Sequence, residues 1–164
     1  MKIIFCTIFF SFLFSAADAQ KITDIELQGK KLQVLDMTTM GRVAWGGYEE
    51  IGDNVRSEDN GAANTAAIVK AVGDNKNYKN KPYAAILCDT SSAGGYTDWY
   101  LPAKSESEII HANVKLLGLG EKLELWTSTE ANGTQAFTKY LYSGAFYKSQ
   151  KVNDNHFVCV RKPD

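Results

Sequence analysis

The chain has 164 residues, with 18 Lys and Arg against 19 Asp and Glu, for a formal charge of −1. A chain of this length holds one ordinary domain or two very small ones. The even charge balance argues against the broad basic surface on which nucleic-acid binding depends. At 45% apolar and 23% charged residues the composition is that of a folded globular protein.

Lys2 precedes a mainly apolar run from Ile3 to Phe14, and Ala17-Asp18-Ala19 places small residues where a signal peptidase reads them. Spanning a bilayer takes about 20 apolar residues, more than this run supplies. Residues 1–19 therefore read as a signal peptide cleaved after Ala19, with no membrane span. Residues 20–164 form a single domain that is secreted or periplasmic.

Short apolar alternations at Ile22, Ile25, Leu27, Leu32 and Val34, broken at Gly29, predict opening strands, and Val43-Ala44-Trp45 a further strand-like piece. The stretch from Gly52 to Gly61 is polar and turn-rich. Asn64 is then placed to cap a helix carrying Ile68, Val69 and Val72, which stops at Gly73. Residues 74–81 read as a solvated loop. Pro82 opens a short helix through Cys88, ended by the turn Ser91-Ser92-Ala93-Gly94-Gly95. After Pro102, Ser105 and Glu108 have the spacing of a capping box for a helix whose Ile109, Ile110, Leu116 and Leu117 share a face. Beyond Leu123 the pattern changes to period two. Strands are predicted over 125–128, 137–142, 145–148 and 156–161, with turns at Asn132-Gly133, Ser143-Gly144 and Asn153-Asp154-Asn155. The fold class is α+β, with central helices packed on a twisted antiparallel sheet.

Once the leader is removed two cysteines remain, Cys88 and Cys159. In an oxidising compartment they read first as a disulfide, with two free thiols or a single nucleophile as the alternatives. By the chain-entropy model a loop this long contributes roughly 4 kcal/mol.

Several pieces of the chain resemble one family in order: Trp45-Gly46-Gly47, residues 61–69, Ala84-Ala85-Ile86-Leu87-Cys88, Gly95-Tyr96-Thr97-Asp98-Trp99-Tyr100-Leu101-Pro102, Leu125-Trp126-Thr127-Ser128-Thr129-Glu130 and Val158-Cys159-Val160-Arg161. Together they look like the Lcl C-terminal-like domain, covering nearly all of residues 45–161. The resemblance implies a C-type-lectin-like fold, related to that of formylglycine-generating, sulfatase-modifying enzymes. It also implies export and a role in adhesion or in binding surface polysaccharide. The family often has a basic residue where this chain has Tyr100, and a hydroxyl or amide cap where it has Ala103.

Catalysis finds little support. A Cys/His nucleophile needs an oriented base beside a thiolate, and His156 lies three positions before Cys159 on a predicted strand, so the two side chains point to opposite faces. The enzyme branch of the related fold uses a close redox cysteine pair that this chain lacks. His111 and His156 have no transition-metal ligand spacing. Asp53, Asn54, Glu58, Asp59 and Asn60 gather oxygen ligands in one loop, which suits calcium as the one possible cofactor, although they form no EF-hand pattern and also read as a solvated loop. Asn132-Gly133-Thr134 is a glycosylation sequon only in a eukaryotic secretory pathway.

Tyr140, Tyr142 and Tyr147 flank the Ser143-Gly144 turn and, with Lys139 and Lys148, predict an exposed aromatic and basic patch, the alternative being that these rings fill the core. Trp45, Trp99 and Trp126 are assigned to the core. The expected ligand-binding residues are Tyr140, Tyr142, Tyr147, Lys148, Asn153 and Asp154, and the expected partner is an extracellular glycan or surface glycoprotein, with self-association supplying any multivalency. The rival readings are an enzyme of the sulfatase-modifying branch and a secreted inhibitor, toxin or assembly subunit that recognises a protein surface.

Overall fold

The computed structural model describes residues 21–47, 49–73 and 81–163. The expected signal peptide 1–19 and residues 74–80 of the expected loop lie outside them. The described chain is mixed α and β. β1 (Ile22–Leu27) and β2 (Lys30–Asp36) form a hairpin, followed by α1 (Gly61–Val72), α2 (Ala84–Asp89), α3 (Lys104–Ala112) and α4 (Val114–Leu117). β3 (Glu124–Asn132), β4 (Gln135–Tyr140), β5 (Phe146–Gln150) and β6 (Val158–Arg161) complete it. Among the described residues no helix is long and apolar enough to cross a membrane.

The strands divide into two antiparallel three-stranded sheets, β1-β2-β6 and β3-β4-β5, where period two alone suggested one. β6 pairs with β2 rather than with its sequence neighbour β5. This choice buries Val158 and Val160 together with Leu32, Val34, Ile109 and Ile110. A period-two pattern assigns side chains to faces and leaves strand order open. The sheets meet where His156 lies beside Leu125 and the Trp126 N–H donates to the His156 carbonyl (2.9 Å). The piece at Val43 is a single bridge to Asn155 rather than a strand.

The larger core gathers Trp45, Trp99 and Trp126, the three assigned to it from the sequence, with Ile68, Tyr83, Leu101 and Phe157. Each indole N–H meets a backbone carbonyl, of Thr127, Ala93 and Val43 respectively, so the rings are buried without a stranded donor. Cys88, near the end of α2, is disulfide-bonded to Cys159 in β6, with Cα atoms 5.3 Å apart.

Two helix starts differ from the sequence reading. α1 begins at Gly61, capped by the Asn60 side chain accepting from Ala63 N–H (3.1 Å). The earlier start is allowed by Gly61, where a Cβ would lie 2.4 Å from the Glu106 carboxylate and 2.7 Å from the Leu101 carbonyl. Asn64 is instead buried, donating to the Ser57 carbonyl and Ser128 Oγ. α3 is capped from Glu106, not by Ser105 with Glu108. The Glu106 carboxylate accepts from Ala103 N–H (2.8 Å), Gly61 N–H (3.2 Å) and Tyr100 OH (2.9 Å). Burial raises the Glu106 carboxyl's pKa, and these donors act against it. The helix then breaks at Asn113, whose side chain bonds the Glu26 and Ile109 carbonyls, so Leu117 is buried while Leu116 turns outward.

Candidate functional site

The register of β3, β4 and β5 builds the site. Glu124 faces Tyr140, and Thr138 faces both Trp126 and Tyr147, so these residues share one side of the sheet. Trp126 and Ala136 bury the inner part of that side in the core. Its outer end carries the tyrosines. The Tyr140 ring lies 6.3 Å from Tyr142 and 6.2 Å from Tyr147, both in tilted contact. Tyr142 is 68% exposed and Tyr147 51% exposed. The three rings that the sequence placed near one turn are therefore in contact, and two of them face solvent.

Asn153 and Asp154 lie on the same side. With Arg42, Glu124, Ser149 and Asn155 they line an open cleft of about 530 Å³. Ser149, two positions beyond Tyr147, joins the cleft to the tyrosines, and its hydroxyl accepts from the side chains of Asn153 (3.3 Å) and Asn155 (3.1 Å). Arg42 Nε donates to the Asp154 carbonyl (2.8 Å), and the Thr138 hydroxyl donates to Glu124. The wall is thus pinned from three separate stretches of chain. Arg42, Glu124, Ser149 and Asn155 were not among the binding residues expected from the sequence. Ser149 was open to it through its period-two relation to Tyr147, whereas Arg42 arrives from 112 positions away.

The two lysines of the expected patch lie elsewhere. Lys148 follows Tyr147 and so points to the opposite side of β5, where its ammonium is 5.8 Å from the Phe137 ring. Lys139 is completely buried, bonded to Glu108 on α3 (2.7 Å) and to the Gly144 carbonyl, with its ammonium 4.1 Å from the Phe146 ring. It holds the tyrosine-bearing turn onto α3. Gly144 has φ of 71°, and a Cβ there would come within 2.6 Å of the His111 ring. The turn needs glycine for both conformation and space.

The oxygen-rich loop is drawn to several separate partners. Asp53 pairs with Arg56, Glu58 with Lys104, Asp59 accepts from Ser57, and Asn60 caps α1; Asn54 lines a shallow hollow with Ile51 and Lys70. Among the described residues no group of three or more His, Cys, Asp or Glu side chains is placed to hold a metal ion. The loop is anchored by Glu130, whose buried carboxylate accepts from Ile51 and Gly52 N–H (2.9 and 3.1 Å) and pairs with Lys151. Lys151 also donates to the carbonyls of Glu49 and Gly133. Burial lowers the Lys151 pKa, while the neighbouring Glu130 opposes that shift.

The disulfide removes both described cysteines from nucleophilic chemistry. His111 packs on Gly144, and His156 Nδ1 is buried with no hydrogen-bond partner among the described residues. No protein-family model matches the chain, and no curated protein is significantly similar to it.

Proposed function

We propose that this protein is an exported, non-catalytic, C-type-lectin-like binding module that recognises carbohydrate, as extracellular polysaccharide or as the glycan of a surface glycoprotein. The observation that carries this reading is the trio Tyr140, Tyr142 and Tyr147 beside a cleft of hydroxyl, amide and charged side chains. A sugar ring has an apolar face that stacks on an aromatic ring and hydroxyl edges that need hydrogen-bond partners. Tyrosine with Asn and Ser supplies both. Glu124 and Asp154 stand against Arg42 in the cleft, and both nearby lysines are turned away. The site therefore suits neutral sugars better than sulfated ones. The mid-chain helix tied by a disulfide to the last strand of an α+β domain supports the lectin-like reading, and the disulfide supports export.

A glycan array followed by calorimetry tests the proposal. Removing an aromatic anchor costs on the order of 2 kcal/mol, so Tyr142→Ala and Tyr147→Ala are each expected to weaken the best glycan about 30-fold. Their exposure leaves folding intact. A blank array, or affinities unchanged in both variants, would refute the assignment. A protein captured from culture supernatant through the same tyrosines would transfer the site to a protein partner.

A further inference from the structure

We infer a second site, between the first sheet and the first turn of α3, that binds a small organic anion with an apolar body. The inward side of the first sheet carries Leu32 and Val34 on β2 and Val158 and Val160 on β6, all buried against α3. Continuing each strand by period two places Lys30 and Lys162 on that same side, where the core gives out. Between them and the first turn of α3 lies a cavity of about 500 Å³, with Leu32 and Ile109 among its lining residues and Lys30, Lys31 and Lys162 around it. A volume of this order is that of a small-ligand pocket.

The chemistry of the lining selects the charge of the ligand. The carboxylates present, buried Glu106 and exposed Asp59, are hydrogen-bonded within the protein and are outnumbered by the three lysines. Glu106 accepts from Tyr100, Gly61 and Ala103, and Asp59 from Ser57. The ammonium groups are less committed. Lys30 and Lys162 are exposed, and among the described residues neither has a carboxylate within salt-bridge distance, although Lys162 acts through its charge on the buried Glu106; Lys31 pairs with Glu26 at 3.9 Å, both side chains exposed. By contrast Lys104, Lys139 and Lys151 are each held in a close ion pair. Cations grouped round a partly apolar lining match a ligand that sets an oxyanion among the lysines and lays a hydrocarbon or ring against Pro163 and the edges of Leu32 and Ile109, which are only 2% and 4% exposed. The oxyanion is a carboxylate or a phosphate.

The test titrates benzoate, phenyl phosphate and neutral benzyl alcohol into the isotopically labelled protein and follows the methyl signals of Leu32 and Ile109. Both anions are expected to shift those methyls while benzyl alcohol does not, and the stronger anion names the physiological headgroup. Lys30→Gln and Lys162→Gln are each expected to weaken binding about fivefold, as loss of an exposed charge contact does, with further weakening in high salt. Tyr147→Ala is expected to leave this binding unchanged, which separates the site from the carbohydrate surface. Equal shifts from benzyl alcohol, affinities unaffected by either lysine variant, or no methyl shift with either anion at millimolar concentration would each overturn the assignment.

Discussion

The pair Lys151 and Glu130 offers the sharpest test of how the second sheet holds the rest of the chain. Both side chains are fully buried, and the ammonium contacts Glu130 and the carbonyls of Glu49 and Gly133 above the Trp45 ring. Lys151→Met removes the charge and keeps most of the volume. It leaves the Glu130 carboxylate buried with two backbone donors and Arg56 Nε at 3.5 Å. Breaking a buried pair from one side costs about 3–5 kcal/mol. The remaining donors put this case at the low end, about 3 kcal/mol, or roughly 10 °C in Tm for a domain of this size. Glu130→Gln leaves an unpaired ammonium and is expected to cost a similar amount. The double variant, with neither charge, is expected to recover about 2 kcal/mol relative to the sum of the singles. Urea unfolding of the four proteins closes the cycle. Single losses below about 1 kcal/mol, or strict additivity, would show that the pair is solvated and that the 49–56 loop is held by other contacts.

Two further outcomes follow from the fold. Replacing Cys88 and Cys159 together by alanine releases a span of 71 positions and is expected to lower stability by about 4 kcal/mol on the chain-entropy model; a loss under about 1 kcal/mol would refute a structural role for the bridge. Because burial raises the Glu106 carboxyl above its ordinary 4.5, the folded state holds a proton there that the unfolded chain has released. Stability from this group is thus complete below pH 4.5 and lost as pH rises through the folded value. Carbon-13 NMR of the Glu106 carboxyl is the direct measurement, and a midpoint at or below 4.5 would contradict the burial argument.

The parts of this molecule legible in its sequence are those set by neighbours along the chain. Glycines and Asn/Asp turns marked element ends, and period two marked the terminal strands. The turn at Ser143-Gly144 showed that Tyr140, Tyr142 and Tyr147 lie near one another. The same alternation contained a warning about Lys148, which adjoins Tyr147 and so lies on the opposite face. The burial of Lys139 was not legible, because it depends on Glu108 from a helix 31 positions earlier. The cap of α3 was misplaced for a related reason. Ser105 and Glu108 have the correct spacing, but the carboxylate that reaches back is Glu106, drawn there by Gly61 and Tyr100 as well as by Ala103. Local grammar proposes a cap, and tertiary donors select among the candidates.

The displaced lysine changes what the tyrosine surface is built to do. On the surface, Lys139 would have added charge to a binding patch. Buried between Glu108 and the Gly144 carbonyl, it ties the turn that presents Tyr142 to a helix on the other side of the sheet. His111 fills the space beneath Gly144, so the turn is held from the same helix at two points. Binding loses affinity to every rotamer and loop that must be ordered on contact, and an aromatic side chain with few rotors on a fastened turn loses little. The opposite wall follows the same plan, with Asn153, Asn155 and Arg42 already engaged with Ser149 and the Asp154 carbonyl. Under the proposed function, a surface fastened on both sides before any ligand arrives would suit a weakly interacting, repetitive ligand such as a neutral polysaccharide, where each sugar contributes little and none of it should be spent on reorganisation.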